Sequence, residues 1–166
     1  MQKAKWEKAV FLDRDGVINY DSGTYTFKIE DFSILPGVFE TLAHWKSEGF
    51  GLMVFTNQAG ISKTMYTKSD VDALHQYLQG MCNLHGFAID AFYFCPHHED
   101  YSGKCLCRKP GSLMLEKALH AFALKPENCV MIGDKPRDVD AAAKAGVKGV
   151  LIETNAGLNP NLVALD

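Results

Sequence analysis

Short apolar runs alternate along the chain with segments whose apolar residues recur at helical spacing. Strands of a buried parallel sheet read as continuous apolar runs, whereas a helix places apolar residues three and four positions apart. The alternation predicts an α/β fold, a three-layer sandwich with helices on both faces of a central parallel sheet. The runs that predict strands are Val10–Leu12, Gly51–Phe55, Ala91–Phe94, Val130–Ile132 and Gly149–Ile152.

Helical spacing and capping residues agree in the segments between these runs. Thr67, followed by Asp70, signals the start of one helix, and Gly86 signals its end. The irregular stretches long enough to carry function are 19–34, 59–65 and 96–109, and the tail after Thr154 is predicted to be loop. The helices are predicted around residues 38–45, 71–81, 113–122 and 139–145.

Length and composition favour one domain over residues 1–166, with one well-formed core and no room for a separate cap domain. A net charge of -3 offers no basic surface for nucleic acid, and no apolar run is long enough to span a membrane. The apolar segment after the N-terminal lysines, residues 9–12, is too short for a signal peptide, so we expect a cytoplasmic protein. No motif indicates self-association, and we expect a monomer.

Polar residues follow four of the predicted strands. Because the carboxyl ends of parallel strands lie at one edge of a sheet, these residues are expected to lie close together. Two carboxylates close to each other favour a divalent cation, and a site built from oxygen ligands suits magnesium, which also binds phosphate oxygens. One aspartate can then serve as a covalent nucleophile and another as general acid and base. The residues concerned are Asp13 and Asp15, Thr56 to Gln58, Arg108 and Lys109, and Asp134 and Lys135.

Four motifs in order along residues 10–152 resemble the phosphatases of the haloacid-dehalogenase (HAD) superfamily: D-R-D-G at residues 13–16, T-N-Q at 56–58, C-R-K-P at 107–110 and G-D-K-P-R-D at 133–138. Within that superfamily, F-L-D-R-D-G-V-I-N at residues 11–19 and the cysteine-rich loop resemble the D-glycero-D-manno-heptose-1,7-bisphosphate phosphatases. The resemblance implies a HAD-like Rossmannoid fold, a phosphorylated sugar as substrate and removal of the C7 phosphate.

The same resemblance implies a role for each motif residue. Asp13 would be the nucleophile and Asp15 the general acid and base, while Thr56 and Lys109 would stabilise the transferring phosphoryl group. Magnesium would be held by the Asp13 carboxylate, the Asp15 backbone carbonyl and the Asp134 carboxylate. Asp138 would act indirectly beside this site, although a carboxylate there also suits the first turn of a helix.

Substrate contacts are implied by the resemblance as well. Arg108 would recognise the distal phosphate, so its loss should affect selectivity more than chemistry; the alternative is an ion pair with Glu99 or Asp100. Thr24 interrupts the glycine-tyrosine pair of the family, between Gly23 and Tyr25. The remaining implied contacts are Asp21, Ser22, Gly23, Thr24, Asn57, Gln58, Ala59 and Lys135.

The cysteine-rich loop predicts a second metal site. Cys95, His97, Cys105 and Cys107 have the spacing of a tetrahedral Cys₃His zinc site, with His98 as the competing ligand. Four protein ligands leave no open position, so we expect a structural zinc that folds residues 95–107 and positions Arg108 and Lys109. Two other cysteines, Cys82 and Cys129, are expected to be inert buried thiols. No role is assigned to His44, His75, His85 or His120.

Several functions remain open on the sequence. Histidinol-phosphate phosphatases share the zinc loop and the C-R-K-P motif, and a generic sugar phosphatase would use the same catalytic residues. Outside the enzymes, the chain could be a zinc-loop binding module or a catalytically silent scaffold. The zinc module is disfavoured because neither a basic stripe nor interleaved aromatic residues surround the cysteines.

Overall fold

A five-stranded parallel sheet forms the centre of the protein in a computed structural model, which describes residues 5–164. The predicted strands are confirmed, with ends that differ by at most two residues. The strand order is β3-β2-β1-β4-β5, so the first strand of the chain lies in the middle of the sheet. The strands are β1 (Lys8–Leu12), β2 (Phe50–Asn57), β3 (Ala91–Cys95), β4 (Cys129–Gly133) and β5 (Lys148–Leu151).

Helices connect the strands, as the periodicity predicts. The helix that follows Thr67 begins with a complete capping box, in which the side chains of Thr67 and Asp70 each bond the other residue's backbone N–H. A short helix in the cysteine-rich loop was not predicted, because four residues carry no apolar periodicity. The helices are α1 (Val38–Ser47), α2 (Lys68–Leu84), α3 (Glu99–Ser102), α4 (Leu113–Ala121) and α5 (Pro136–Lys144), with 3-10 turns at Ile29–Asp31, Pro126–Asn128 and Pro160–Leu162.

Both faces of the sheet are buried, which makes the architecture a three-layer sandwich. Along β1, Val10 and Leu12 point into a core shared with α1 and α2, whereas Ala9 and Phe11 point into a second core shared with α4 and α5. Side chains alternate between faces along a strand, so a central strand that feeds two cores must be apolar throughout.

The polar residues that follow β1, β2, β3 and β4 are carried to the same edge of the sheet, because all five strands run in one direction. Within residues 5–164 every strand belongs to this one sheet. None of the helices that the structure describes has the length and apolar content needed to cross a membrane.

Candidate active site

A buried lysine joins two aspartates below the carboxyl end of β1. The Lys109 Nζ donates to Asp13 Oδ1 at 2.9 Å, to Asp138 Oδ1 at 2.6 Å and to the Phe55 carbonyl at 2.8 Å. Burial raises the pKa of the Asp13 carboxyl to about 7 against the opposing charge of Lys109, and the Asp138 carboxylate adds to the rise. Burial alone would lower the pKa of Lys109, but the two carboxylates reverse this and raise it. Lys109 is therefore held as a cation.

A third carboxylate completes the cluster from the end of β4. One oxygen each from Asp13, Asp134 and Asp138 lies within 4.8 Å of the others. Asp134 Oδ2 accepts from Thr154 Oγ1 at 2.7 Å, while Asp134 Oδ1 is buried without a hydrogen-bond partner among the described residues. Gly16 allows the approach, since a Cβ there would lie 2.4 Å from Asp134 Oδ2. An unpartnered buried oxygen among carboxylates fits a hard divalent cation such as magnesium.

The contacts of Asp138 separate it from this metal position. Asp138 Oδ1 accepts from Lys109 Nζ, and Asp138 Oδ2 accepts from the Lys135 backbone N–H at 3.0 Å. Its side chain is fully buried, and by accepting from the Lys135 N–H it caps the start of α5. Asp138 thus holds Lys109 in place from the first turn of the helix.

Asp15 lies above the cluster with its carboxylate fixed from three sides. Asp15 Oδ1 accepts from Asn19 Nδ2 and from Arg14 Nη2, both at 2.9 Å. Asp15 Oδ2 makes only longer contacts, at 3.2 Å with Arg14 Nη2 and with Gln58 Nε2. A quarter of the side chain is exposed, 26%. Oδ2 is accordingly the oxygen better placed to exchange a proton with a bound molecule.

Gln58 links Asp15 to Thr56, the threonine near the end of β2. Its Nε2 donates to Thr56 Oγ1 at 2.8 Å, and its Oε1 accepts from the Tyr66 hydroxyl at 2.6 Å. Gln58 and Ala59 are both buried, each about 2% exposed. Burial raises the pKa of Tyr66 to about 12, so its hydroxyl remains a donor. Gln58 therefore orients Thr56 and Asp15 from below the site.

A cavity of about 440 Å³ opens directly above Asp15. Asp15 and Asp21 give it two carboxylates, and Lys135 and Arg137 give it two cations. Ser22 and Ala59, which the sequence also singled out, do not line it. Polar groups of both signs around an open cavity suit a polyhydroxylated, anionic ligand better than an apolar one. The lining residues are Asp15, Asp21, Gly23, Thr24, Tyr25, Asn57, Lys135 and Arg137.

A single lysine contacts two other segments, one of which lines this cavity through Tyr25. Lys63, from the loop after β2, places its Nζ 5.3 Å from the ring centre of Tyr25 in the loop after β1. The same Nζ lies 5.5 Å from the ring centre of Tyr101 in α3. Cation–π contacts of this kind link the loop after β2 to the loop after β1 and to α3.

Arg108 lies beside the site rather than in the cavity above Asp15. Its Nη1 donates to the His97 carbonyl at 3.3 Å, and it lines a neighbouring cavity of about 630 Å³ together with Lys104 and Lys144. The alternative ion pair of Arg108 with Glu99 or Asp100 is not formed among residues 5–164.

The structure brings the four proposed zinc ligands together. Cys95 Sγ lies 3.7 Å from Cys105 Sγ and 3.6 Å from His97 Nδ1, and His97 Nδ1 lies 3.3 Å from Cys107 Sγ. All four ligand atoms lie within 4.8 Å of one another. A tetrahedral site with zinc–sulfur bonds of about 2.3 Å has edges close to these three distances, whereas Cys95 Sγ and Cys107 Sγ lie closer together, at 2.9 Å. His98 is occupied elsewhere, as the N-cap of α3.

Asn57 connects the cysteine-rich loop to the sheet. Its Oδ1 accepts from the Lys109 backbone N–H at 3.0 Å, and its Nδ2 donates to the Lys109 carbonyl at 3.1 Å. The side-chain amide thus pairs with the backbone as a neighbouring strand would. Lys109 is therefore fixed at both its backbone and its side chain.

Comparison with known proteins agrees with the geometry. A HAD-hydrolase-like family model matches residues 106–163. The D-glycero-beta-D-manno-heptose-1,7-bisphosphate 7-phosphatase of Helicobacter pylori is 43% identical over 146 residues, which cover 87% of this chain and 83% of that protein. The chain belongs to this family of HAD phosphatases.

Other relatives extend the match. The D-glycero-alpha-D-manno-heptose-1,7-bisphosphate 7-phosphatase of Burkholderia mallei is 40% identical over 87% of this chain and 79% of its own. Among solved structures, D,D-heptose 1,7-bisphosphate phosphatase from B. bronchiseptica, complexed with magnesium and phosphate, superposes with a TM-score of 0.84. The match has 30% identity and covers 89% of this chain and 82% of that one. The relatives include enzymes named for either anomer.

Several residues of this site were not predicted from the sequence. Arg14 and Asn19 orient Asp15, Thr154 contacts Asp134, and Arg137 lines the cavity. Arg14 stands inside the D-R-D-G motif, so its position was a usable signal. His44, His85 and His120 are exposed, whereas His75 is buried against Arg14. Cys82 and Cys129 are fully buried, and burial raises the pKa of each thiol to about 12.

Proposed function

We propose that this protein hydrolyses the C7 phosphate of D-glycero-D-manno-heptose 1,7-bisphosphate through an aspartyl-phosphate intermediate. The observation that carries the proposal is the buried Asp13–Lys109–Asp138 cluster beside Asp134, with Asp15 held above it at the floor of a polar cavity. The names of relatives at 36–43% identity supply the substrate.

The first step forms the intermediate. Asp13 Oδ1 accepts both hydrogen bonds that the described residues donate to this carboxylate. The other oxygen, Oδ2, is therefore available to attack phosphorus. A bond forms between Oδ2 and phosphorus as the bond from phosphorus to the sugar oxygen breaks. Asp15, in its protonated form, gives a proton to the departing oxygen, because an alkoxide is too basic to leave alone.

The second step restores the enzyme. Water attacks phosphorus on the side that the sugar has left, and Asp15 takes a proton from it. The phosphorus–Oδ2 bond breaks, releasing inorganic phosphate and the Asp13 carboxylate. One carboxyl group thus acts as acid and then as base, which returns Asp15 to its starting protonation state after each cycle.

Charge on the transferring group is met by donors that the fold holds rigid. Lys109 Nζ and Thr56 Oγ1 would bond the phosphoryl oxygens, and their positions are fixed by Asp138 and Gln58. Magnesium held by the carboxylates of Asp13 and Asp134 and the carbonyl of Asp15 would keep Asp13 ionised and neutralise phosphate charge.

Substrate selection is assigned to the loops around the cavity. Asp21, Asn57 and Lys135 would contact the sugar and phosphate, since all three line the cavity above Asp15. The backbone around Gly23 and Thr24 would form the opposite wall. Arg108 would meet the distal phosphate from the neighbouring cavity, where its guanidinium makes one hydrogen bond within residues 5–164, to the His97 carbonyl.

Activity on the bisphosphate tests the proposal. With magnesium, the wild-type protein should release phosphate from heptose 1,7-bisphosphate with a kcat/KM at least about 100-fold above that for histidinol phosphate or an aryl phosphate. Both anomers of the heptose substrate should be assayed, and the product should be the 1-phosphate. Equal rates on all substrates would leave a generic phosphatase, and a preference for histidinol phosphate would reject the heptose assignment.

We also propose that zinc binds Cys95, His97, Cys105 and Cys107 as a structural ion. Burial raises the pKa of the Cys95 thiol and so disfavours the thiolate form. A bound cation would stabilise that thiolate. Reduced thiols in this cluster are expected in the cytoplasm, where we propose that the protein acts. The monomeric state stays a prediction, testable by sedimentation.

Loss of zinc should lower activity, because the zinc loop positions Lys109. Purified protein should contain about one zinc ion per chain, and Cys105→Ser should lose it and lower kcat by about 10- to 100-fold. The reason is that residues 95–107 lead directly into Arg108 and Lys109. Cys129→Ser, in the core under α4, is the matched control and should keep its zinc. Full activity in a zinc-free Cys105→Ser protein would contradict a structural role.

A further inference from the structure

A buried chain of hydrogen bonds continues behind Asp15, away from the cavity. The Arg14 side chain is fully buried, and its Nη2 bonds both Asp15 oxygens, at 2.9 and 3.2 Å, as well as the Thr26 carbonyl at 2.8 Å. On its other side, Arg14 Nη1 lies 3.3 Å from His75 Nε2. His75 belongs to α2, so this chain links the general acid to a helix on the face of the sheet.

The direction of the hydrogen bond between Arg14 and His75 follows from chemistry. A guanidinium has five N–H donors and no acceptor, so His75 Nε2 must accept and the imidazole must be neutral with its proton on Nδ1. Burial, with the Arg14 charge as a second cause, lowers the pKa of His75 to about 3, which agrees with a neutral ring. His75 is the acceptor for this guanidinium N–H.

His75 is itself held in place. Its ring stacks on Phe92 of β3, with centroids 4.6 Å apart and planes 18° apart, and the Phe94 ring meets it edge-on with centroids 6.3 Å apart. The residue is 6% exposed. The His75 ring projects from α2 and stacks on β3, so its Nε2 lone pair keeps a fixed direction. This in turn fixes the plane of the Arg14 guanidinium.

We propose that Arg14 and His75 are positioning residues, which hold the Asp15 carboxylate in the orientation that proton transfer to the departing oxygen requires. Arg14 acts on Asp15 directly, and His75 acts through Arg14. The proposal rests on the proposed phosphatase function of the same site, and it gives a part in proton transfer to Arg14 and His75, two residues to which the sequence assigned no role.

Dependence on the leaving group distinguishes this role from simple structural support. An alkyl phosphate such as a sugar phosphate needs a proton on its departing oxygen, whereas an aryl phosphate has a stable leaving group and needs much less help. The ratio kcat/KM reports the steps up to release of the alcohol, the step in which Asp15 is the acid. A misplaced Asp15 must therefore slow alkyl esters more than aryl esters.

The experiment compares the wild type, His75→Phe and His75→Gln on two substrates with magnesium present. His75→Phe keeps a ring to stack on Phe92 but has no acceptor, and His75→Gln places an amide oxygen near the position of Nε2. Each is measured on heptose 1,7-bisphosphate and on p-nitrophenyl phosphate, and each is also placed in an Asp15→Asn background. Circular dichroism and urea unfolding establish that the variants are folded.

We expect His75→Phe to lower kcat/KM by about 10-fold for the sugar phosphate and by less than about 3-fold for the aryl phosphate, with KM nearly unchanged. His75→Gln should recover most of the loss. In the Asp15→Asn background, His75→Phe should cause no further loss on either substrate, because a residue that acts through Asp15 has nothing left to position.

Other results would overturn the proposal. Equal losses on both substrates, a further loss in the Asp15→Asn background, or full activity in a folded His75→Phe protein would each show that His75 does not act through Asp15. Failure of the proposed heptose activity is a separate result, since any alkyl phosphate that the wild type hydrolyses can replace the bisphosphate. A wild-type protein that hydrolyses no phosphate ester would reject both proposals.

Discussion

Asp13→Asn is expected to lower phosphate release by at least about 10⁴-fold while leaving the fold intact, since loss of a covalent nucleophile removes the whole two-step path. An asparagine Oδ1 can still accept from Lys109 Nζ, and Lys109 keeps its contacts with Asp138 and the Phe55 carbonyl. The free energy of unfolding should therefore change by no more than about 1 kcal/mol.

Two measurements check this expectation. Steady-state phosphate release gives the loss of activity, and acid quenching of the wild type during turnover should trap phosphate on Asp13 but none on the variant. Asp140→Asn makes the same chemical change at an exposed position of α5 and serves as the control. More than about one-hundredth of wild-type activity in the variant would show that another group attacks phosphorus.

Lys109→Met is expected to damage both activity and stability. Its ammonium is fully buried and lies between the carboxylates of Asp13 and Asp138, so methionine would leave two buried anions without their shared partner. Breaking a buried ion pair in this way costs about 3–5 kcal/mol of unfolding free energy. Activity should fall by about 10³-fold or more, because the donor to the transferring phosphoryl group is also lost.

A double variant separates the two effects of Lys109. Adding Asp138→Asn removes one of the two unpaired buried charges. In a urea titration, Lys109→Met/Asp138→Asn should therefore recover most of the free energy of unfolding that Lys109→Met loses, without recovering activity. Magnesium should stabilise the single variant more than the wild type, as it supplies positive charge beside Asp13. Recovery of activity in the double variant would remove Lys109 from the phosphoryl site.

The sheet could be predicted from the sequence because its strands are apolar on both faces. Continuous runs such as Val10–Leu12 fit a strand that feeds two cores, and Thr67 with Asp70 marked a helix start that the capping box confirms. The sequences of the loops contain no comparable pattern from which their conformation could be predicted. Helix α3 is held by the His98 side chain and backbone contacts instead of an apolar stripe.

The site could be predicted only in part for a different physical reason. Strand ends place Asp13 and Asp134 at one edge, but the partner of each polar group depends on three-dimensional contacts between distant segments. His75 is 61 positions from Arg14, and a lone histidine on the apolar face of a helix is indistinguishable in sequence from an ordinary core residue. Thr154 lies in a tail without periodicity, and its contact with Asp134 appears only after folding.

The central place of β1 in the sheet has a consequence for synthesis of the protein on the ribosome. The strand that leads into Asp13 is made before the other four, yet it pairs with β2 on one side and with β4 on the other, Ala9 lying opposite both Gly51 and Cys129. Pairings this distant in sequence form late and slowly. A nascent chain would therefore carry an apolar, half-paired first strand until β4 emerges, and this interval is when newly made protein most needs a chaperone.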